Sequence, residues 1–216
     1  MTGTTARLDM TMMYATHDAL RRDAERVARI TARGDDDPRR LLRAAAGWEM
    51  FKSYLRVHHT TEDDVLWPDM QRVLAGRPDD LALLDAMEAE HGAIDPLLHA
   101  VDAALADRES GPERLGGLTD ALVTTLTGHL RHEEAEALPL IGATLGEARW
   151  RRFGEEHRAR IGTDVPRYLP WVLDGMAAER AARILDAMPE QVRADYHDAW
   201  RPSYAGLAPW GRGEEA

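Results

Sequence analysis

Apolar residues recur every three to four positions along most of the chain, and runs of alternating β-branched residues are missing. This spacing places apolar side chains on one face of a helix, so it predicts helices rather than strands. Clusters of glycine, proline and acidic residues divide the pattern into segments. The long helices predicted from it cover residues 11–33, 38–75, 78–107 and 112–144, with a bend or break at Pro96.

Four long helices with short polar connections are typical of an antiparallel up-down-up-down bundle. The predicted fold class is therefore all-α, with a four-helix bundle over residues 10–145. Residues 146–216 differ: a fifth helix in "RWRRFGEEHRAR" precedes a stretch rich in proline, glycine and aromatic residues, then helical runs at 175–188 and 189–200. We expect a helical C-terminal extension packed on the bundle; the alternative is a lid or a dimer surface near the functional site.

The composition excludes several classes of function. The formal net charge of -11 disfavours nucleic-acid and anionic-membrane partners, because both require a basic face. The absence of cysteine excludes disulfides, thiolate metal sites and iron–sulfur clusters. A secretory signal and an apolar stretch of about 20 residues are both missing, so we expect a soluble, cytoplasmic protein without a membrane contact.

One short segment occurs twice: "HHTTEDDVLWP" at residues 58–68 returns 71 residues later as "HLRHEEAEALP". Each copy has a His, a Glu four residues later and a Pro six residues after the Glu. These residues are His58, Glu62 and Pro68 in the first copy, and His129, Glu133 and Pro139 in the second. Since residues four apart share a helix face, each copy presents an imidazole beside a carboxylate, a donor pair suited to iron or manganese.

The first and third helices each add one further His, His17 and His91. One helix pair is therefore written twice, and its six donors converge if the second and fourth helices face each other. A carboxylate buried alone costs several kcal/mol, so such a site requires a cation. If both glutamates bridge two metal ions, the donor count leaves open positions, which indicates a reactive site rather than a closed structural one.

These residues together resemble the hemerythrin-like, or HHE cation-binding, family over roughly residues 10–145. The resemblance implies an oxo- or hydroxo-bridged centre of two iron ions, with His17, His58, His91 and His129 as ligands and Glu62 and Glu133 as bridges. It implies a small-molecule partner: dioxygen, peroxide or nitric oxide. The oxygen carriers of the family have a fifth His, giving three on one iron and two on the other, and the sequence shows no obvious fifth.

Two classes of function follow from the resemblance. One is an enzyme, either peroxidase- or catalase-like or an oxidase or oxygenase of a biosynthetic pathway. The other is a non-catalytic oxygen or iron binder, a sensor or a store. A sensor usually has an output module, and none is evident unless the C-terminal extension serves as one.

Several residues have competing interpretations. His132 begins a second His-x-x-x-Glu with Glu136, but aligning the two prolines favours His129 and Glu133. By the same alignment, His59 is expected beside the site or at the surface. Further candidates are Asp95 as an outer partner of His91, Glu88 as part of a ferritin-like Glu-x-x-His, and His157 as an added ligand.

Tyr14 and Tyr54 each lie one helical turn before a predicted ligand, His17 and His58. Either hydroxyl is a candidate to hydrogen-bond a bound peroxide or to donate an electron. The alternative is a buried tyrosine whose hydroxyl finds another partner.

Overall fold

The computed structural model of the chain describes residues 8–32 and 46–211, and in these ranges every regular element is helical. The prediction of an all-α fold is confirmed for this part of the chain. The turn "GDDDP" and the predicted start of the second helix lie outside the described residues. Across the same ranges, no helix has the length and apolarity needed to cross a membrane.

Within residues 8–32 and 46–144, the structure shows four long helices. They are α1 (Thr11–Thr31), α2 (Ala46–Thr61, Glu62–Leu66 and Trp67–Val73), α3 (Pro78–Ala106) and α4 (Gly111–His132, Glu133–Ala137 and Leu138–Thr144). Helix α1 packs against α2 and α4, and α3 packs against α4. Pro96 does not break α3, which continues to Ala106 with Ile94 and Leu98 buried on either side of the proline. Packing of this face offsets the lost backbone hydrogen bond.

The prolines of the repeated segment follow π turns. Glu62 and Glu133 each begin one, and a third π turn, Tyr196–Trp200, is likewise followed by a proline, Pro202. In the first turn the N–H of Trp67 donates to the carbonyl of Glu62, five residues back. Since a proline lacks an N–H and its ring clashes with the carbonyl four residues before it, the wider turn accommodates the ring. Each repeated proline therefore marks a wide turn that starts at the glutamate.

Between Leu145 and residue 211, where the description of the chain ends, four shorter helices follow. They are α5 (Glu147–Ile161), α6 (Val165–Leu173), α7 (Ala178–Asp186) and α8 (Glu190–Asp195, Tyr196–Trp200 and Arg201–Leu207), with a 3-10 turn at Gly162–Asp164. Helix α6 lies in the proline-rich stretch where no helix was predicted, and α8 continues past residue 200. Both differences arise from tertiary burial: Tyr168, Trp171 and Tyr204 pack into the core.

The C-terminal extension, α5 to α8, docks on α1 through a buried carboxylate. Asp23 is fully buried and accepts a 2.7 Å hydrogen bond from the indole Nε1 of Trp171. At the far end of the extension, the carbonyl of Pro209 accepts from the N–H of Gly47 at 2.8 Å. A Cβ at residue 47 would lie 2.4 Å from the Trp210 ring, so only glycine permits this close approach.

The apolar core is divided into two clusters, and polar residues lie between them along each long helix. On α1, His17 falls between Met13 of one cluster and Leu20 of the other. On α2, Leu55 and Leu66 flank the polar residues in the same way. Burial of these apolar side chains supplies about 1.5–3 kcal/mol each, which supports a polar layer that is itself costly to bury.

Candidate metal centre

Seven buried side chains gather in the polar layer, in two groups. The first group comprises His17, His58, Glu62 and Glu133, and the second group comprises His59, His91 and His129. Within each group, one potential ligand atom per residue lies within 4.8 Å of the others. The structure thus brings together the six donors predicted from the sequence and adds a seventh, His59.

Glu62 lies between the two groups. Its Oε1 is 3.4 Å from Nε2 of His58 in the first group, and its Oε2 is 3.5 Å from Nε2 of His91 in the second. The carboxylate therefore presents one oxygen to each group. Glu133 is equally buried, with Oε2 3.2 Å from Nε2 of His17. The two-sided contacts of Glu62 are those expected of a carboxylate placed to be shared by two cations.

Three acidic residues orient the imidazoles from behind. The Nδ1 contacts are His17 with Glu134 at 2.9 Å, His91 with Asp63 at 2.7 Å and His129 with Glu90 at 3.0 Å. Asp63 directly follows Glu62, and Glu134 directly follows Glu133. Each repeated segment thus supplies a carboxylate to the layer and, from the next residue, a partner for the His of the other half. The available signal in the sequence was the second acid of "ED" and "EE".

These acids fix which ring nitrogen carries the proton. Since a carboxylate accepts, Nδ1 of each neutral ring donates and Nε2 keeps its lone pair. Nε2 of His91 then faces Nε2 of His129 at 3.1 Å, and their converging lone pairs in a buried layer require a proton or a metal ion between them. Nε2 of His17 lies 3.0 Å from Nε2 of His58.

The pKa values of the donors show the same demand for positive charge. Burial, then the charges of Glu133 and Asp63, raises the pKa of Glu62 well above its usual value. Burial would also raise the pKa of Glu133, but His17 outweighs it and lowers that pKa. Against the effect of burial, the charges of Glu133 and Glu134 raise the pKa of His17 to about 9. Without a metal ion, a proton on His17 supplies the positive charge that stabilises the carboxylates of Glu133 and Glu134.

The unsatisfied atoms of the layer fit a cation. Both carboxylate oxygens of Glu62, both of Glu133 and Nε2 of His59 are buried without a partner in hydrogen-bonding geometry. Burial, then neighbouring His residues, lowers the pKa of His58 and His59 well below the usual value, so both rings are neutral donors. Neutral imidazoles with carboxylates are a donor set for iron, manganese or zinc. The residues present therefore suit the metal that the resemblance implies.

His59 is the donor that sequence reasoning missed, since it was expected beside the site or at the surface. It is 6% exposed, and its ring stacks on that of His91 with centroids 4.0 Å apart and planes 9° from parallel. On α2, His58 belongs to the first group and the next residue, His59, to the second, because successive side chains on a helix point about 100° apart. The "HH" of the first repeat was the available signal.

The second repeat is placed in the register that its proline indicated. His129 is buried in the second group, whereas the His132 side chain is 32% exposed and its Nδ1 lies 2.8 Å from Oε1 of Glu90. Glu136 is exposed. The pair His132 and Glu136 therefore lies outside both groups.

The two tyrosines do not reach the donors. Tyr14 is 38% exposed on the outer surface of α1. The Tyr54 hydroxyl is buried but donates to Oδ2 of Asp164 at 2.5 Å, on the 3-10 turn of the extension. The expectation that either hydroxyl faces a bound molecule is not supported by this placement, and the alternative of another partner holds for Tyr54.

Three other candidates fall outside both groups. Glu88 and Asp95 are exposed, so neither the ferritin-like motif nor the outer partner of His91 is formed; that partner is Asp63. His157 on α5 is half-buried, with its ring centroid 6.2 Å from that of His58. Burial and then Arg160 lower the pKa of His157 to about 4.

Comparison with known proteins gives one match. The family model "Hemerythrin HHE cation binding domain" matches residues 9–141, more than half of the chain. No curated protein and no solved structure is significantly similar to the chain. The chain belongs to the hemerythrin HHE family, and the resemblance drawn from the repeated segments is confirmed.

Proposed function

We propose that this hemerythrin HHE protein holds two iron ions in the buried layer, with five imidazoles and two carboxylates as ligands. The ions would exchange electrons with a small oxidant, and the protein would bind and react with, or sense, dioxygen, peroxide or nitric oxide. The observation that carries the proposal is the position of Glu62, which presents one oxygen to each group of donors.

The proposal includes an antiparallel arrangement of α1 to α4. Two observations support it: the pairings of α1 with α2 and α4 and of α3 with α4, and the short connections on both sides of α3. In such a bundle, π turns at Glu62 and Glu133 would face each other across the axis. Each helix would then add donors from one level, as the two apolar clusters above and below the layer require.

The protein's own groups have three tasks at this centre. Asp63, Glu90 and Glu134 keep Nδ1 protonated and so direct Nε2 of three imidazoles into the layer. The two apolar clusters exclude water, which strengthens every charge interaction inside. Glu62 keeps the two groups at a fixed separation.

A second candidate, a non-catalytic oxygen binder, is favoured by one observation. His59 brings the number of clustered imidazoles to five, with three in one group and two in the other. This is the division that the resemblance attributes to the oxygen carriers. An enzyme and a binder share the centre and differ in whether the oxidant is consumed.

The experiment that separates them uses protein reconstituted with ferrous iron under nitrogen. Metal analysis and an absorption spectrum after exposure to air test the centre: about two irons per chain with ferric oxo-bridged absorption are expected. Continued consumption of peroxide or dioxygen with a reductant indicates the enzyme, and stoichiometric, reversible binding indicates the binder. The Glu136→Ala variant is the matched control, since that carboxylate is exposed. One zinc per chain, or no metal, would contradict the proposal.

A further inference from the structure

Helix α5 of the extension is fixed against α2 at the level of the centre. Arg160 on α5 donates through Nη1 to the backbone carbonyl of Thr60 at 2.9 Å and to Oδ2 of Asp64 at 2.8 Å. Thr60 lies two residues before the π turn that begins at Glu62, and Asp64 lies within that turn. One turn of helix before Arg160, His157 is brought to the same level of the bundle.

The ring of His157 lies edge-on to that of His58, with centroids 6.2 Å apart and planes at 79°. Phe153 on its own helix and Tyr168 on α6 hold it there, at centroid distances of 6.4 Å and 5.6 Å. Tyr168 is itself anchored on α1, since its hydroxyl lies 2.8 Å from Oγ1 of Thr16. Within the described extension, His157 is the one ring in contact with a clustered donor.

The imidazole of His157 has no hydrogen-bond or ion-pair partner among the described residues. Four His residues of the layer are engaged with an acid or with each other, whereas Nε2 of His59 also lacks a partner but is enclosed in the second group. A half-buried imidazole without a partner has unused donor and acceptor capacity, which is costly unless water or a ligand satisfies it.

The two groups of donors differ where His157 lies. The second group has three imidazoles, and His59 stacks over His91 there. The first group has two imidazoles, and the extension supplies the ring beside them. The extension places His157 beside His58 of the first group, so a small molecule bound at that group is the one that would meet His157.

We propose that His157 hydrogen-bonds a small anion or oxygen species bound at the first group, and that the extension is thereby a wall of the binding site. The inference rests on the proposed function, because it requires a cation among these donors. His157 acts here as a donor to the bound molecule and not as a ligand of the cation. It makes this centre dependent on a segment outside the residues that match the family.

The test measures azide binding to the iron-loaded full chain by absorption spectroscopy, in wild type, His157→Ala, His157→Gln and the control His99→Ala. His99 is exposed on α3. In His157→Ala, azide affinity should fall about tenfold or more, as expected for a lost hydrogen bond to a charged group, while iron content stays at the wild-type level. His157→Gln, which keeps an N–H donor, should recover part of the loss, and His99→Ala should bind as wild type does.

Three results would overturn the inference. They are unchanged azide affinity in His157→Ala, loss of iron from that variant, which would make His157 a ligand, and iron-loaded wild type that binds no azide. Wild type that takes up no iron contradicts the proposed function itself, and the inference falls with it. Iron content and azide affinity, measured on the same samples, distinguish the two failures.

Discussion

The two halves of the bundle begin from the same pattern and end in different surroundings. Each half has a His on its first helix, a His and a Glu on its second, and a π turn starting at the Glu. In each half, the acidic residue after the Glu contacts an imidazole of the other half. Yet one half adds His59 to the second group, and the corresponding residue of the repeat, Leu130, is a core side chain. The extension then places His157 beside the first group only.

This difference shows that a duplicated pair of helices does not by itself produce a symmetric site. The repeat fixes the donors that both halves share. A position at which the two copies differ, residue 59, and the extension decide how the two groups differ. The following changes test that division, beginning with the residue common to both groups.

Glu62→Ala should remove most of the bound iron, because Glu62 contacts donors of both groups. Its loss removes the carboxylate that contacts both groups and lowers the negative charge available to two cations. Metal analysis of purified protein, with Glu136→Ala as the control, measures the effect. Retention of wild-type iron would contradict a bridging position for Glu62.

His59→Ala should lower iron content by about half, since it removes one of three imidazoles from the second group and none from the first. The matched control is His132→Ala, a His of the repeated segment that lies outside both groups. If His132→Ala releases iron and His59→Ala does not, the assignment of the second group is wrong.

Asp63→Asn and Glu134→Gln should each weaken iron binding about ten- to a hundredfold, as loss of the carboxylate behind a ligating imidazole typically does. Asp63 contacts His91 of the second group, and Glu134 contacts His17 of the first. Competition with a chelator should therefore show one weakened iron of two in each variant. Asp85→Asn, at an exposed position of α3, serves as the control, and equal weakening there would indicate a general charge effect.

Tyr168→Phe tests the contact between the extension and the first half. Burial raises the pKa of Tyr168 to about 12, so its contribution to stability is present below pH 10, where the unfolded chain ionises, and is lost as pH rises toward 12. As the pH rises from 9 to 11, ionisation of Tyr168 in the unfolded chain should lower the free energy of unfolding by about 1.3 kcal/mol. Denaturant unfolding at both pH values should show a smaller decrease in Tyr168→Phe than in wild type. An equal decrease would mean that the Tyr168 hydroxyl ionises freely in the folded chain.

Prediction from sequence succeeded where one element decides the outcome. The helical period of apolar residues located α1, α3, α4 and α5, and the four-residue spacing of His and Glu placed both on one face. It failed at α6, because two prolines and several aromatic residues argue against a helix until burial of Trp171 is known. The partner of the Tyr54 hydroxyl could not be predicted from one helix either, because Asp164 lies 110 residues further along the chain.

The sequence by itself determined that this protein is helical, belongs to the hemerythrin HHE family and carries six His and Glu donors at matching positions of two helix pairs, because spacing along one helix sets which side chains share a face. Only the tertiary structure decided that His59 joins the second group, that Asp63 and Glu134 serve the opposite halves and that the extension brings His157 to the first. Those contacts join residues up to 117 positions apart, and their geometry depends on how the helices pack.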